Sequence, residues 1–465
     1  MKSIFLCGIG GIAMCGVAGI LKNLGFDVAG SEKGEVYPPA SEILKKIGIT
    51  PFKFAAENIL TSSPDAVIVG NAVSKENPEV LAAKSRGIPL FSFPQFFERY
   101  ILDNKKVVVC AGTHGKTTTT SMTSFLLESL GFEPSYLIGG VLQKKETNFA
   151  TGSGEWFVIE GDEYPSSSFD PVPKFLHYNP FALILTSLEL DHVDVYKDIS
   201  ELLRVFSELL RLIPENGVVV YNEDSPLLRD LIKNTRPKGR ITSYGKDSKS
   251  DFKLINWSSS FKKGVFYTKV SVQTPDKGTS KFLIPLVGEH NALNFTGIYA
   301  LLKVLGVKDA DLAEVISFFP GVKRRQEVVY ADENVLVVDD FAHHPTAVKK
   351  TLLSLKKACL PDKVILFFEP RTNSSKRKVF EEEYIKSLCI ADEVYLKTPP
   401  GLEKLPEEQR IDLAKITNQI KKLGKNAAIF EERIKLELKP NEKTLVVCMS
   451  SAYMSDVMEK IKEVL

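Results

Sequence analysis

Cysteine is scarce and poorly spaced in this chain. Its 6 cysteines stand at positions 7, 15, 110, 359, 389 and 448, with no CxxC pair among them. That excludes a zinc ribbon or a disulfide scaffold. It favours reduced, packed thiols in a cytoplasmic protein. Charge of one sign is also missing. The 60 lysines and arginines against 58 acidic residues leave a formal net charge of +2, which gives no electrostatic argument for nucleic acid or a membrane surface. Long apolar runs are absent too. Stretches such as 335–340 and 363–368 are strand length, so no segment reads as a membrane span. There is no internal repeat and no low-complexity tract. The opening MKSIFLCGIGGIAMCG carries one lysine and an apolar stretch like a signal peptide. A glycine-rich turn interrupts it, and a first strand and turn describe it better.

What remains is a globular composition, 44% hydrophobic and 25% charged over 465 residues. That length is too great for one core and predicts two to four domains. The most informative stretch is 107–120, VVVCAGTHGKTTTT. The β-branched Val107–Val109 predicts a buried parallel strand. Gly112, Thr113, His114 and Gly115 form a small-residue turn, and Lys116, Thr117 and Thr118 open an amphipathic helix. Strand, glycine turn, GK[ST] and helix make a phosphate cradle, with Lys116 facing β/γ-phosphates and the Thr117 hydroxyl on Mg²⁺. The generic pattern wants glycine where Cys110 stands.

Other polar groups fall at predicted strand ends, where open αβ sheets bind ligands. Glu160, Asp162 and Glu163 follow one strand, and a carboxylate there can hold the ion that Thr117 touches. Taken alone they could be a solvated acidic turn. Glu189, Asp191, His192 and Asp194 follow the next strand, suggesting a metal or phosphate role for His192. Asn291 and Asn294 share a helix face and suit hydrogen bonds to a nucleotide, with helix capping by Asn291 as the plainer reading. Arg324 and Arg325 lie at an expected hinge. Asp339, Asp340, His343 and His344 follow a buried strand, but adjacency aims the two histidines in different directions. Arg371 follows another strand and could clamp a carboxylate or simply begin a basic loop. Gly8, Gly10 and Gly11 make a second glycine turn after the first strand, spaced GxGG, which alone is weak. Alternation over 251–287, with turns at 262–264 and 275–278, predicts antiparallel hairpins within an otherwise αβ pattern.

GTHGKTTTT, EGDE, LDHVD, HNALN, RRQE and DDFAHHPTA occur in this order along the chain. Together they closely resemble the Mur ligase family, ATP-dependent ligases that build the peptide of cell-wall precursors. The resemblance covers the whole chain, and that family does not require the first Walker glycine. It implies an α/β fold of three domains: a Rossmann-like UDP-sugar domain (1–104), a P-loop-type central ATPase with an antiparallel insertion (105–322), and a Rossmann-like amine-substrate domain (323–465). It implies ATP and Mg²⁺, with UDP-N-acetylmuramate and an amino acid or tripeptide as substrates. It implies a cytoplasmic monomer or weak dimer. By resemblance Lys116 holds the β/γ-phosphates, Thr117 and Glu160 hold one metal ion, and His192 serves a second. Asn291 and Asn294 hold adenine or nearby groups, Arg325 reaches the phosphates on closure, Asp340 holds the ribose, and His343 stands beside the reacting centre. Gly8, Gly10 and Gly11 cradle the UDP diphosphate. Ser31 lies at the uridine, where the family has Ser-Asp and this chain has Ser31-Glu32. Arg371 clamps the amine component.

Two branches share the GxGG start and the HHP motif, one adding L-alanine and the other L-alanyl-γ-D-glutamyl-meso-diaminopimelate. VYPPAS (36–41), IVGNAVSKENPE (68–79), KFLHY (174–178) and FFEPR (367–371) resemble the tripeptide-adding branch. The segment VFSELLRL (205–212) lacks the lysine that other branches carbamylate. The competing class, a P-loop module without ligase chemistry, would need neither three αβ units nor a second glycine turn.

Overall fold

The structure, a computed structural model, describes residues 1–190, 195–431, 437–439 and 441–465. Its strands form three sheets. The first contains β1 (Ser3–Cys7), β2 (Asp27–Glu32), β3 (Phe52–Lys53), β4 (Ala66–Val69) and β5 (Leu90–Ser92), all parallel in the order β3-β2-β1-β4-β5. The chain reverses direction of winding at β1, so the glycine turn after it opens into the crevice between β1 and its neighbours. β5 ends earlier than its apolar run suggests. Ser92 accepts a hydrogen bond from Gln95 N at 3.3 Å in a capping box, and Phe93 therefore begins the helix Phe93–Tyr100.

The second sheet has ten strands: β6 (Lys106–Ala111), β7 (Ser135–Leu137), β8 (Phe149–Ala150), β9 (Trp156–Gly161), β10 (Ala182–Leu185), β11 (Val218–Asn222), β12 (Arg240–Gly245), β13 (Phe252–Lys262), β14 (Val265–Gln273) and β15 (Thr279–Ile284). Their order is β15-β14-β13-β12-β11-β10-β6-β9-β7-β8. The antiparallel region is present, with Lys263 (φ 51°) and Gly264 (φ 77°) supplying the left-handed turn between β13 and β14. It does not stand apart from the αβ pattern. β13 pairs parallel with β12 through Tyr244–Phe252 and Gly245–Lys253, so the meander lengthens the central sheet.

The third sheet comprises β16 (Glu327–Ala331), β17 (Val335–Asp340), β18 (Lys363–Glu369), β19 (Glu393–Leu396), β20 (Asn426–Ile429) and β21 (Thr444–Ser450), ordered β16-β17-β21-β18-β19-β20. Only β16 is antiparallel. All seven residues of β21 are buried, as expected of a strand covered on both faces.

The first sheet's helix Ile12–Asn23 docks directly on the edge of the central sheet. A Cβ at Gly19 would fall 2.0 Å from the Phe149 ring, and one at Gly16 would fall 2.4 Å from Leu137 Cδ1. Asn148 Nδ2 donates to Ile12 O at 2.8 Å across the same junction. Among the described residues no helix is long and apolar enough to cross a membrane.

Candidate nucleotide and phosphate site

β6 delivers the loop 112–115 to the start of the helix Lys116–Ser129. Gly112 (φ 128°) and Gly115 (φ 82°) adopt conformations a side chain disfavours. Space excludes one as well: a Cβ would lie 2.5 Å from Thr186 Oγ1 at Gly112 and 2.9 Å from Asn294 Oδ1 at Gly115. Lys116 Nζ donates to Gly112 O at 2.7 Å and pairs with Glu163 Oε2 at 3.1 Å. Burial pulls the ammonium pKa down, but Glu163, Asp162 and Glu160 outweigh it and raise it. Lys116 is thus a cation whose charge is balanced by carboxylates.

Thr117 Oγ1 donates to both Glu160 oxygens at 3.0 Å and accepts from Arg325 Nη2 at 3.1 Å. Glu160 also accepts from Gly139 N at 3.0 Å. Burial raises the Glu160 pKa against the opposing pull of Lys116 and Arg325. A buried carboxylate beside a hydroxyl is a hard oxygen donor pair, the chemistry magnesium takes. Three elements therefore converge on one hydroxyl: the glycine loop, the end of β9, and the connection leading into β16.

That connection separates the two neighbouring arginines. Arg324 is a fastener. Its Nε pairs with Asp339 Oδ2 at 3.2 Å, and its Nη2 donates to Ser450 O at 2.5 Å and Ala452 O at 2.8 Å, tying β17 to the end of β21. Arg325 turns the other way, toward Thr117, with its guanidinium 4.3 Å from the Phe341 ring centre. Burial lowers its pKa against Asp340 and Glu160. Arg324 (φ 61°) and Gln326 (φ 52°), on either side, are both left-handed.

A cleft of about 140 Å³ lies between the helix Glu289–Val304, the glycine loop and the third sheet. His114, Gly115 and Thr118 line it from one side, and Asn291, Asn294, Arg325 and Asp340 from the others. The two asparagines do share a buried face. Asn291 is not a cap, because Gly288 holds that position. Its Nδ2 donates instead to Val287 O and Gln326 Oε1, each at 2.9 Å. Gln326, to which the RRQE motif assigns no role by itself, organises this wall. Its N donates to Asp340 Oδ2 at 2.8 Å, and its Nε2 lies 3.2 Å from His290 Nε2. Burial lowers the His290 pKa to about 4, so a neutral ring can accept from that amide. Burial also raises the Asp340 pKa, which Arg325 opposes.

The two adjacent histidines point apart, as their adjacency suggests. His343 Nδ1 faces Phe341 O at 3.1 Å, within its own loop. His344, whose Nδ1 accepts from Thr346 N at 3.3 Å to cap the helix Pro345–Cys359, places its ring 4.9 Å from that of His114. Glu189 lies 3.4 Å from His114 Nε2, and the His114 contact holds its carboxyl down to about 2. His192 lies outside the described residues.

At the first sheet, Gly8 (φ 78°) and Ile9 donate their amides to Ser31 O at 2.9 and 3.0 Å. Ser31 Oγ turns inward to Glu79 Oε2 at 2.6 Å, so Ser31 shapes the turn rather than facing its opening. Glu32 Oε2 accepts from Gly10 N at 2.8 Å, and a Cβ at Gly11 would meet nothing within 4 Å. In the third sheet, Arg371 Nη1 is 3.6 Å from the fully buried Glu369 and is partly open to solvent.

Comparison with known proteins finds relatives along most of the chain. The profile described as Mur ligase family, catalytic domain, matches residues 3–104; Mur ligase middle domain matches 110–302; and Mur ligase, glutamate ligase domain, matches 324–452. A UDP-N-acetylmuramate–L-alanyl-γ-D-glutamyl-meso-2,6-diaminoheptandioate ligase of Escherichia coli K12 is 36% identical over 400 residues, 85% of each chain. A UDP-N-acetylmuramate–L-alanine ligase of Caldicellulosiruptor bescii is 34% identical over 85% of this chain and 83% of that one. Among solved structures, the UDP-N-acetylmuramate-alanine ligase of Thermotoga maritima superposes with a TM-score of 0.82 at 26% identity, covering 100% of this chain and 99% of that one. A murein peptide ligase of Psychrobacter arcticus gives 0.72 at 26% identity, covering 99% and 98%.

Proposed function

This chain belongs to the Mur ligase family, and from that premise we propose that it joins an amine component to the lactoyl carboxylate of UDP-N-acetylmuramate at the expense of ATP. The observation that carries this reading is the meeting of Thr117, Glu160 and Arg325, which brings a cation from the third sheet to the phosphate loop of the second. The carboxylate is a poor electrophile. Transfer of the γ-phosphoryl group makes it an acyl phosphate, the amine attacks, and phosphate leaves. Such chemistry asks the protein mainly for positioning and charge neutralisation. Lys116 is the cation for the β/γ-phosphates. Thr117 and Glu160 would hold a magnesium ion, which when bound neutralises phosphate charge. Arg325 completes the set on closure, while Asn291, Asn294 and Asp340 hold the nucleoside. Gly8, Gly10 and Gly11 receive the diphosphate of the UDP-sugar. His343 and His192 keep the reacting-centre and second-metal roles that the family resemblance gives them.

The three sheets serve as three working domains, with boundaries near 104 and 322; the spans of the matched profiles support this division. The tripeptide is the favoured amine component. The segments 36–41, 68–79, 174–178 and 367–371 support it, and so does the identity to the Escherichia coli relative. Arg371 stands beside Lys376, whose pKa is lowered by burial and then by Arg371, so two cations gather where a terminal carboxylate could dock. The alanine-adding reading has the higher TM-score in its favour. Phosphate release with UDP-N-acetylmuramate and ATP, comparing L-alanine with the tripeptide, decides between them. Efficient coupling of alanine with no response to the tripeptide would reject the finer assignment and leave the ligase chemistry intact. Arg371→Ala should raise the tripeptide KM by roughly 10-fold or more, for one charge-assisted contact, with little change for ATP.

A further inference from the structure

Three side chains at the phosphate loop and beside it could act together in a way the ligase reading, which uses His114 as part of the phosphate cradle, does not assign. His114 belongs to the glycine loop, Glu189 follows β10, and His344 begins the helix Pro345–Cys359 in the third sheet's unit. One ligating atom from each lies within 4.8 Å of the other two. His114 Nε2 and Glu189 Oε2 are 3.4 Å apart, and Thr346 Oγ1 donates to the same Glu189 oxygen at 3.0 Å. We propose that His114, Glu189 and His344 form a binding site for a borderline divalent cation of the zinc class, which joins the C-terminal sheet to the glycine loop.

The donor set argues for that class of ion. Two imidazoles and one carboxylate are the ligands zinc takes when a fourth position stays open. Zinc binds such nitrogens and oxygens at about 2.0–2.2 Å, so neighbouring ligands of a tetrahedron stand roughly 3.3–3.5 Å apart. The His114–Glu189 separation already matches this edge. Thr346 serves two of the three ligands at once: its amide donates to His344 Nδ1 and its Oγ1 donates to Glu189 Oε2, so one outer residue orients both. Magnesium prefers an all-oxygen shell, which the pair Thr117 and Glu160 offers and this cluster does not. An ion here would tie two bodies that have to part for substrates to enter and products to leave, and so would slow turnover.

The test uses the full chain, free of nucleotide and stripped with a chelator. Isothermal titration with zinc chloride in excess Mg²⁺ should give one tight site, together with a rise in the thermal midpoint that a chelator reverses. His344→Gln and Glu189→Gln should each weaken that site by roughly 100-fold, since removing a ligand costs at least as much as removing an outer-shell partner. Thr346→Val keeps all three ligands and should weaken it by about 10-fold. Circular dichroism confirms that each variant is folded. Zinc affinity unchanged in both ligand variants would mean adventitious binding at other histidines and would overturn the proposal. Displacement of the ion by Mg²⁺ would overturn it as well.

Discussion

Arg325→Ala is the sharpest test of domain closure as a catalytic step. Arg325 Nη2 donates to Thr117 Oγ1 at 3.1 Å across a sequence separation of 208 residues. A hydrogen bond from a charged group typically contributes about 1.5–3 kcal/mol. At about 1.4 kcal/mol per decade of rate, its loss predicts a fall in kcat of roughly 10–150-fold. The fall should be larger if the guanidinium also meets transferring phosphate, as arginines supplied on closure do. Binding of UDP-N-acetylmuramate should change little, because the glycine turn of the first sheet does not involve this arginine. Arg325→Lys should recover only part of the rate, since an ammonium has neither the planar fork nor the same stacking on Phe341. The assay is phosphate release at saturating substrates, with KM measured separately for ATP and the UDP-sugar. A folded alanine variant within twofold of the parent kcat would refute the closure argument and leave Arg325 as an interdomain strut.

Other outcomes follow from the same geometry. Glu160→Gln removes the carboxylate charge beside Thr117 and should raise the Mg²⁺ concentration for half-maximal activity roughly 10-fold or more; an unchanged midpoint would remove Glu160 from the metal. His290 has its folded pKa lowered from 6.5 to about 4, so its stabilising contribution is complete above about pH 6.5 and is lost as pH falls toward 4. His290→Gln should therefore flatten the decline of the denaturation midpoint across that window, and parallel curves for the two proteins would contradict the assignment. Gly19→Ala should lower stability by about 1–3 kcal/mol through overpacking against Phe149, despite a gain of about 1 kcal/mol in helix propensity; an unchanged thermal midpoint would mean the Phe149 ring yields freely. Lys116→Ala should abolish ligation without unfolding the chain, and near-parent turnover would remove Lys116 from phosphate chemistry.

The sequence alone determined what is local. Strand, glycine turn and helix around Lys116 were legible because φ preference, β-branching and the GKT spacing all act within about a dozen residues. The turns at 262–264 and 275–278 were legible for the same reason, and so was the shared face of Asn291 and Asn294. Tertiary structure decided everything that depends on where a side chain points. Adjacent residues leave the backbone in different directions, which already set the members of Arg324/Arg325 and His343/His344 apart; the family resemblance singled out Arg325 and His343, but only folding shows what Arg324 and His344 meet. Burial against β21 makes Arg324 a fastener, and the approach of the third sheet to the glycine loop gives Arg325 and His344 their contacts. Gln326 stood within RRQE with no role assigned to it; its importance comes from partners at 290, 291 and 340 that only folding assembles. The joining of β13 to β12 was hidden likewise, because strand order is set by which edge is left to pair and not by the alternation within a strand.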